Sequence, residues 1–109
     1  DTTTVDTLAY LRWSFRNRML LRFPRHKLIA DGVRAGSGQS VVTPKIARAE
    51  AIALFEDWQE LNLVEDIDQF KRDLIVQVNG ADPTRLDMVL PINVANPLYV
   101  VAAQIQFRL

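Results

Sequence analysis

The chain contains no cysteine, which removes disulfides, thiolate nucleophiles and cysteine metal ligands together. It contains one histidine, His26. Without a second histidine or a cysteine, neither a histidine-based catalytic group nor a zinc site of the usual kind can be assembled, so a structural or surface role is expected for His26. No apolar run reaches the roughly 18 residues needed to cross a bilayer. The opening Asp1-Thr2-Thr3-Thr4 lacks the basic start and apolar stretch of a signal peptide. Because the first residue is Asp rather than Met, a piece of a longer protein is expected. The missing cysteines suit a cytoplasmic origin.

An excess of charge of one sign is absent too: 13 Lys/Arg balance 13 Asp/Glu. The balance hides an asymmetry. Residues 1–48 carry nine Lys/Arg and three Asp, a net of +6, and residues 49–109 carry four Lys/Arg and ten Asp/Glu, a net of −6. Such a chain either neutralises itself within one fold or presents complementary faces to its neighbours. The hydrophobic fraction of 49% and charged fraction of 24% are those of an ordinary globular chain, and 109 residues make one domain, 1–109, with a modest core.

Periodicity predicts the elements. Val5, Leu8, Leu11, Phe15 and Met19 recur at helical spacing, giving a first amphipathic helix from about Val5 to Arg22. It ends at Phe23-Pro24, because the residue before proline is pushed out of helical geometry. A loop is expected from Pro24 to Val42, with Gly32, Gly36 and Gly38 at its centre. Thr43-Pro44 then supplies a capping hydroxyl and a first-turn proline for a second helix running to about Asn62, with Ala47, Ala51, Leu54, Trp58 and Leu61 on one stripe. Leu63 to Asp73 is read as a connection that has room for one helical turn. Beyond it the period changes to two: Leu74, Val76 and Val78; then Leu86, Met88 and Leu90, ending at Pro91; then Val101, Ala103, Ile105, Phe107 and Leu109. Asn79 to Thr84 is dense in turn formers. The expected fold class is α+β: two amphipathic helices followed by a three-stranded antiparallel meander.

The familiar chemical motifs fail on inspection. Arg34 to Gln39 has glycines but no Lys-Ser/Thr leading directly into a helix, as a phosphate loop requires. Glu65, Asp66 and Asp68 start like a calcium loop but lack its glycine and closing glutamate, so a solvated connection is expected. No catalytic, cofactor or metal site is predicted. The basic stretch is more informative. Arg12, Arg16, Arg18, Arg22, Arg25, Lys27 and Arg34 put seven cations within 23 residues, opposed only by Asp31. Three readings stay open: contact with an acidic protein surface, a solvated face, and a small nucleic-acid-binding module working through phosphate neutralisation.

Several blocks resemble the C-terminal region of Mu-like contractile tail sheath proteins. They are Phe23-Pro24-Arg25-His26-Lys27-Leu28, Asp31-Gly32 with Arg34, and Thr43-Pro44-Lys45 in the first half. In the second half they are Asp68-Gln69-Phe70-Lys71-Arg72-Asp73-Leu74, Asp82-Pro83-Thr84-Arg85-Leu86-Asp87, Leu90-Pro91 and Gln104-Ile105-Gln106-Phe107. They occur in the family's order along nearly the whole chain, and Ile92 to Tyr99 fits least well. The resemblance implies a structural, non-enzymatic virion component made in the host bacterial cytoplasm, in a phage or a prophage-derived tail. Such subunits form stacked hexameric rings around a tail tube and shorten to drive it through the host envelope. The implied partners are other sheath subunits, the tube protein, and baseplate and tail terminator proteins. No small-molecule substrate, direct nucleic-acid contact or direct membrane contact is implied. In related sheaths, arms from neighbouring subunits complete the sheet of this domain. Arg12, Arg16 and Arg18 are accordingly expected at a tube or subunit contact. Ile105, Phe107 and Leu109 are expected as register-setting residues of a last strand that closes its own sheet or pairs with a neighbour.

Overall fold

The computed structural model describes residues 2–33, 36, 38, 40–93 and 100–108, with the backbone alone for 2–5 and 100–108. Helix α1 spans Thr2–Arg22. It buries Leu11, Phe15 and Met19, one turn apart, with Leu8 packed alongside. Past Pro24 the chain turns through Arg25, whose φ of 58° is left-handed. The His26 Nδ1–H donates to the Pro24 carbonyl at 3.0 Å, and the His26 ring meets Phe23 edge-on. The one histidine therefore has a local structural role.

The expected loop contains two short strands, β1 (Lys27–Leu28) and β2 (Val41–Val42), paired in parallel. Two residues are too few to show a period of two, so sequence pattern gave no sign of them. The pair brings Asp31 to the start of α2 (Pro44–Glu60), where the first-turn positions have no helical partner for a backbone donor. Pro44 has no N–H at the first position, the Lys45 N–H reaches Asp31 Oδ1 at 3.0 Å, and the Ile46 N–H reaches Thr43 Oγ1 at 3.2 Å. The first helical bond, from the Ala47 N–H to the Thr43 carbonyl, follows at 2.9 Å. The Lys45 and Ile46 donors of that first turn are both satisfied.

Helix α2 buries Ala47, Ala51, Leu54, Phe55 and Trp58. It ends with Asn62 in the left-handed region (φ 60°). The Leu63 N–H bonds the Trp58 carbonyl, and the Asn62 N–H bonds the Gln59 carbonyl, the paired pattern of a Schellman cap with Asn in the usual glycine position. The following connection is more ordered than expected: Ile67–Asp73 form a third helix, α3, giving three helices among the described residues rather than two. Its N-cap is Asp66, whose Oδ1 accepts from the Gln69 N–H at 3.1 Å. One member of the acidic cluster read as solvated is thus a capping group. Phe70 is fully buried and stacks on Phe55 with ring centroids 4.2 Å apart. Arg48, from α2, donates to the carbonyls of Leu74 and Lys71 at the far end of α3, where a cation suits the helix dipole.

The antiparallel sheet matches the expected order: β3 (Ile75–Val78), β4 (Arg85–Asn93) and β5 (Val100–Arg108), with β4 central. Leu74 belongs to the end of α3 and precedes the strand. Asn79 Oδ1 accepts from the Ala81 and Asp82 N–H groups at 2.9 Å each, shaping the predicted turn. Leu86, Met88, Leu90 and Ile92 of β4 are buried on alternate positions. The strand does not stop at Pro91, as the proline suggested. Pro91 lies beyond Val89, the last β4 residue paired with β3, so its missing N–H takes no bond from that ladder. There the α2–α3 connection takes over, with the Glu65 N–H bonded to the Asn93 carbonyl at 2.9 Å.

Candidate assembly interface

The seven-cation stretch divides once folded. Arg18 and Arg22, on the side of α1 facing α2, converge on Glu50, whose side chain is only 10% exposed. Arg18 Nε lies 2.6 Å from Glu50 Oε2 and Arg22 Nε lies 3.1 Å from Glu50 Oε1. Arg18 also reaches Asp57 at 3.1 Å. Burial works against the Arg18 charge, but the hydrogen bonds with Asp57 and Glu50 outweigh it, and its pKa is raised. Beside this knot, the Trp58 Nε1–H donates to Ser14 Oγ at 3.0 Å. The group fastens α1 to α2. Part of the charge asymmetry is therefore neutralised inside the fold.

Arg12 and Arg16 are on different ground. Both are exposed, and neither has an ion-pair or hydrogen-bond partner among the described residues. They border an apolar stripe on the outer side of α1: Tyr10, Trp13 (61% exposed), Leu20 and Leu21 (69% exposed). The helix is thus apolar on two sides, one in the core and one facing solvent. The expected trio of Arg12, Arg16 and Arg18 is not a single patch. Arg18 sits in the interhelical knot, while Arg12 and Arg16 face outward. Arg34 and Leu109 lie outside the described residues.

The last strand pairs within the chain. Nine residues of β5 align with β4, placing Phe107 opposite Leu86 and Ile105 opposite Met88. Because β4 is central, β5 forms one edge of the sheet. Its outer row of backbone groups has no partner strand among the described residues, which is the geometry that accepts an added strand.

Among the described residues no group of three or more His, Cys, Asp or Glu side chains could hold a metal ion, and no helix is long and apolar enough to cross a membrane. Sheet-face polar groups form one further site: Arg85 Nε lies 3.5 Å from Asp87 Oδ1, and Asn79 Nδ2 donates to Asp87 Oδ2 at 2.8 Å. The Asn79–Asp87 hydrogen bond braces the β3–β4 turn, while Arg85 Nε and Asp87 Oδ1 face each other by charge without a hydrogen bond. The knot at Glu50 escaped sequence reasoning because its partners are 28 and 32 residues apart. The outward stripe could have been found by asking which apolar residues of α1 the core stripe leaves over.

The family described as phage tail sheath C-terminal domain matches residues 1–108. The Mu-like prophage FluMu tail sheath protein of Haemophilus influenzae is 44% identical over 106 residues, covering 97% of this chain and 22% of that protein. The chain therefore spans about a fifth of the length of this curated relative. No solved structure matches. The family is one of structural tail proteins and not of enzymes. With a matched span that takes in all three helices and the whole sheet, this chain belongs to the phage tail sheath C-terminal domain family.

Proposed function

We infer that this domain is a structural part of a contractile tail sheath, located in the virion tail and made in the bacterial host. Its parent subunit packs with other copies into stacked hexameric rings around a tail tube, between baseplate and terminator proteins. The rings shorten to drive the tube through the host envelope. The observation that carries this reading is the family match over residues 1–108, joined by 44% identity to a named tail sheath protein.

The geometry supplies a means of linkage. A sheath that shortens must let its domains move as rigid bodies while the subunits stay tied together. Strand addition on the free edge of β5 meets that demand, since main-chain bonds hold the link and alternate side chains set its register. Ile105, Phe107 and Leu109 are the register-setting positions in this reading. Arg12 and Arg16 are the cations available for contact with tube or neighbour. Arg18 contributes by holding α1 against α2. The nucleic-acid reading is weakened, because Arg18 and Arg22 are already engaged by Glu50 and Asp57.

Negative-stain electron microscopy of the full-length parent protein, alone and with its tube protein, tests the reading. Stacked rings or helical tubes are expected. Dispersed particles under both conditions, together with steeply salt-dependent retention on DNA or RNA, would replace it with the binding-module alternative.

A further inference from the structure

Helix α1 carries an exposed apolar stripe that the core does not use: Tyr10, Trp13, Leu20 and Leu21, spread over about 16 Å of helix. Exposed large apolar residues gathered on one side of a helix, here interrupted by the exposed Asn17, mark an interaction site. Its charged border identifies what can cover it. Arg12 and Arg16 stand one turn apart beside the stripe, exposed and without partners among the described residues. A second α1 would bring Arg12 and Arg16 against their own kind, relieved only by Asp6, and is electrostatically disfavoured. An acidic helical ridge with the same spacing fits.

The chain has one. On the outer side of α2, away from the core, Glu56 and Glu60 are exposed, one turn apart, and also without partners among the described residues. The same ridge continues toward the start of α2 through Ala49, which is exposed, and Ala53, which is half-buried. These small residues leave room for Leu20 and Leu21. Both charged pairs therefore repeat at about 6 Å along their helices, with opposite sign. The two ridges lie on different faces of one molecule, so a contact between copies is heterologous. Heterologous contacts repeat into rings or open helices, whereas a self-complementary one closes at a dimer.

We propose that the outer face of α1 in one copy docks antiparallel on the outer ridge of α2 in the next, with Arg12 and Arg16 against Glu60 and Glu56, which sets Leu20 and Leu21 over Ala53 and Ala49. This contact rests on the sheath reading and adds to strand exchange a second, side-chain interface that can break and re-form during shortening.

The test uses the full-length sheath protein in three forms: unaltered, Arg12→Glu with Arg16→Glu, and Glu56→Arg with Glu60→Arg. Assembly is read by sedimentation and electron microscopy against protein concentration, with far-UV circular dichroism confirming that each form is folded. Each altered protein is expected to need more than about tenfold higher concentration to assemble, because like charges then face each other. Mixing the two altered forms restores assembly, since each presents the face the other lacks. Unimpaired assembly of either form alone, or no recovery on mixing, overturns the contact. So does a defect confined to the α1 form, which assigns the stripe to the tube or to another part of the sheath protein. If the unaltered protein itself forms no rings or tubes with its tube protein, the sheath reading fails and this contact with it.

Discussion

Glu50 holds two arginines of another helix, and its removal tests whether that knot matters to stability. In Glu50→Gln the side chain keeps its size and loses its charge. Hydrogen bonds to charged groups contribute about 1.5–3 kcal/mol where they are well shielded. Here the discount for solvent is substantial. Arg18 is 29% exposed and retains Asp57, and Arg22 is 61% exposed, which limits its share to a few tenths of a kcal/mol. The expected loss is about 1–2 kcal/mol, nearly all through Arg18. For 109 residues the unfolding entropy gives a fall in Tm of roughly 4–9 °C. Thermal and urea unfolding of Glu50→Gln, Arg18→Met and the double variant form a cycle that isolates the pair. A coupling of at least about 0.7 kcal/mol between Arg18 and Glu50 is expected, with Arg22→Met costing well under half of what Arg18→Met costs. The Arg18 coupling should also survive added salt better than that of Arg22, because Arg18 is 29% exposed and Arg22 61%. A coupling within about 0.3 kcal/mol of zero, the usual error of additivity, would falsify the claim that this knot fastens α1 to α2.

Three further outcomes follow from the geometry. Asp31→Ala leaves the Lys45 N–H without its acceptor and removes a carboxylate from a helix start, lowering stability by about 1 kcal/mol in urea unfolding, whereas Asp31→Asn keeps an acceptor and loses less than half of that; equal losses for the two would refute the capping role. Phe70→Ala empties the site stacked on Phe55 and costs about 3–5 kcal/mol, and Phe70→Leu recovers more than half of it; equal losses for the two would show that ring volume is not the cause. Asp73 has its carboxyl held below the ordinary range by hydrogen bonds from Arg72 and Gln69. Its stabilising effect is therefore present above the unfolded pKa and disappears as pH falls through the folded one; an NMR titration should show the pKa rising in Arg72→Ala.

The two long helices were legible because their apolar residues repeat at three and four positions and because Thr43-Pro44 and Phe23-Pro24 carry local rules about where helices start and stop. The β3–β4 turn was legible for the same reason: Asn79 bonds backbone groups two and three residues on. Elements too short for a period escaped. β1 and β2 have two residues each, and α3 has seven, held chiefly by the burial of Phe70 and by Arg48 reaching across from α2. Pro91 misled, because whether a proline breaks a strand depends on which neighbours the strand has at that point.

The candidate interface divides along the same line. Sequence counted seven cations and could not say which were free, since ion pairing is decided by side chains far apart in the chain. Folding placed Arg18 and Arg22 against Glu50 and left Arg12 and Arg16 outside. It also showed that Tyr10, Trp13, Leu20 and Leu21 lie off the core stripe of α1.

By itself, then, the sequence determined the α+β class, the absence of cysteine chemistry, the two long helices and the family resemblance, because each rests on residue identity or on spacing within a few positions. Tertiary structure alone decided that Asp31 caps a helix 14 residues away, that Glu50 joins two arginines of α1, and that β5 lies along β4 at the edge of the sheet. Those facts depend on which distant groups are brought within bonding distance, and no local pattern carries that information.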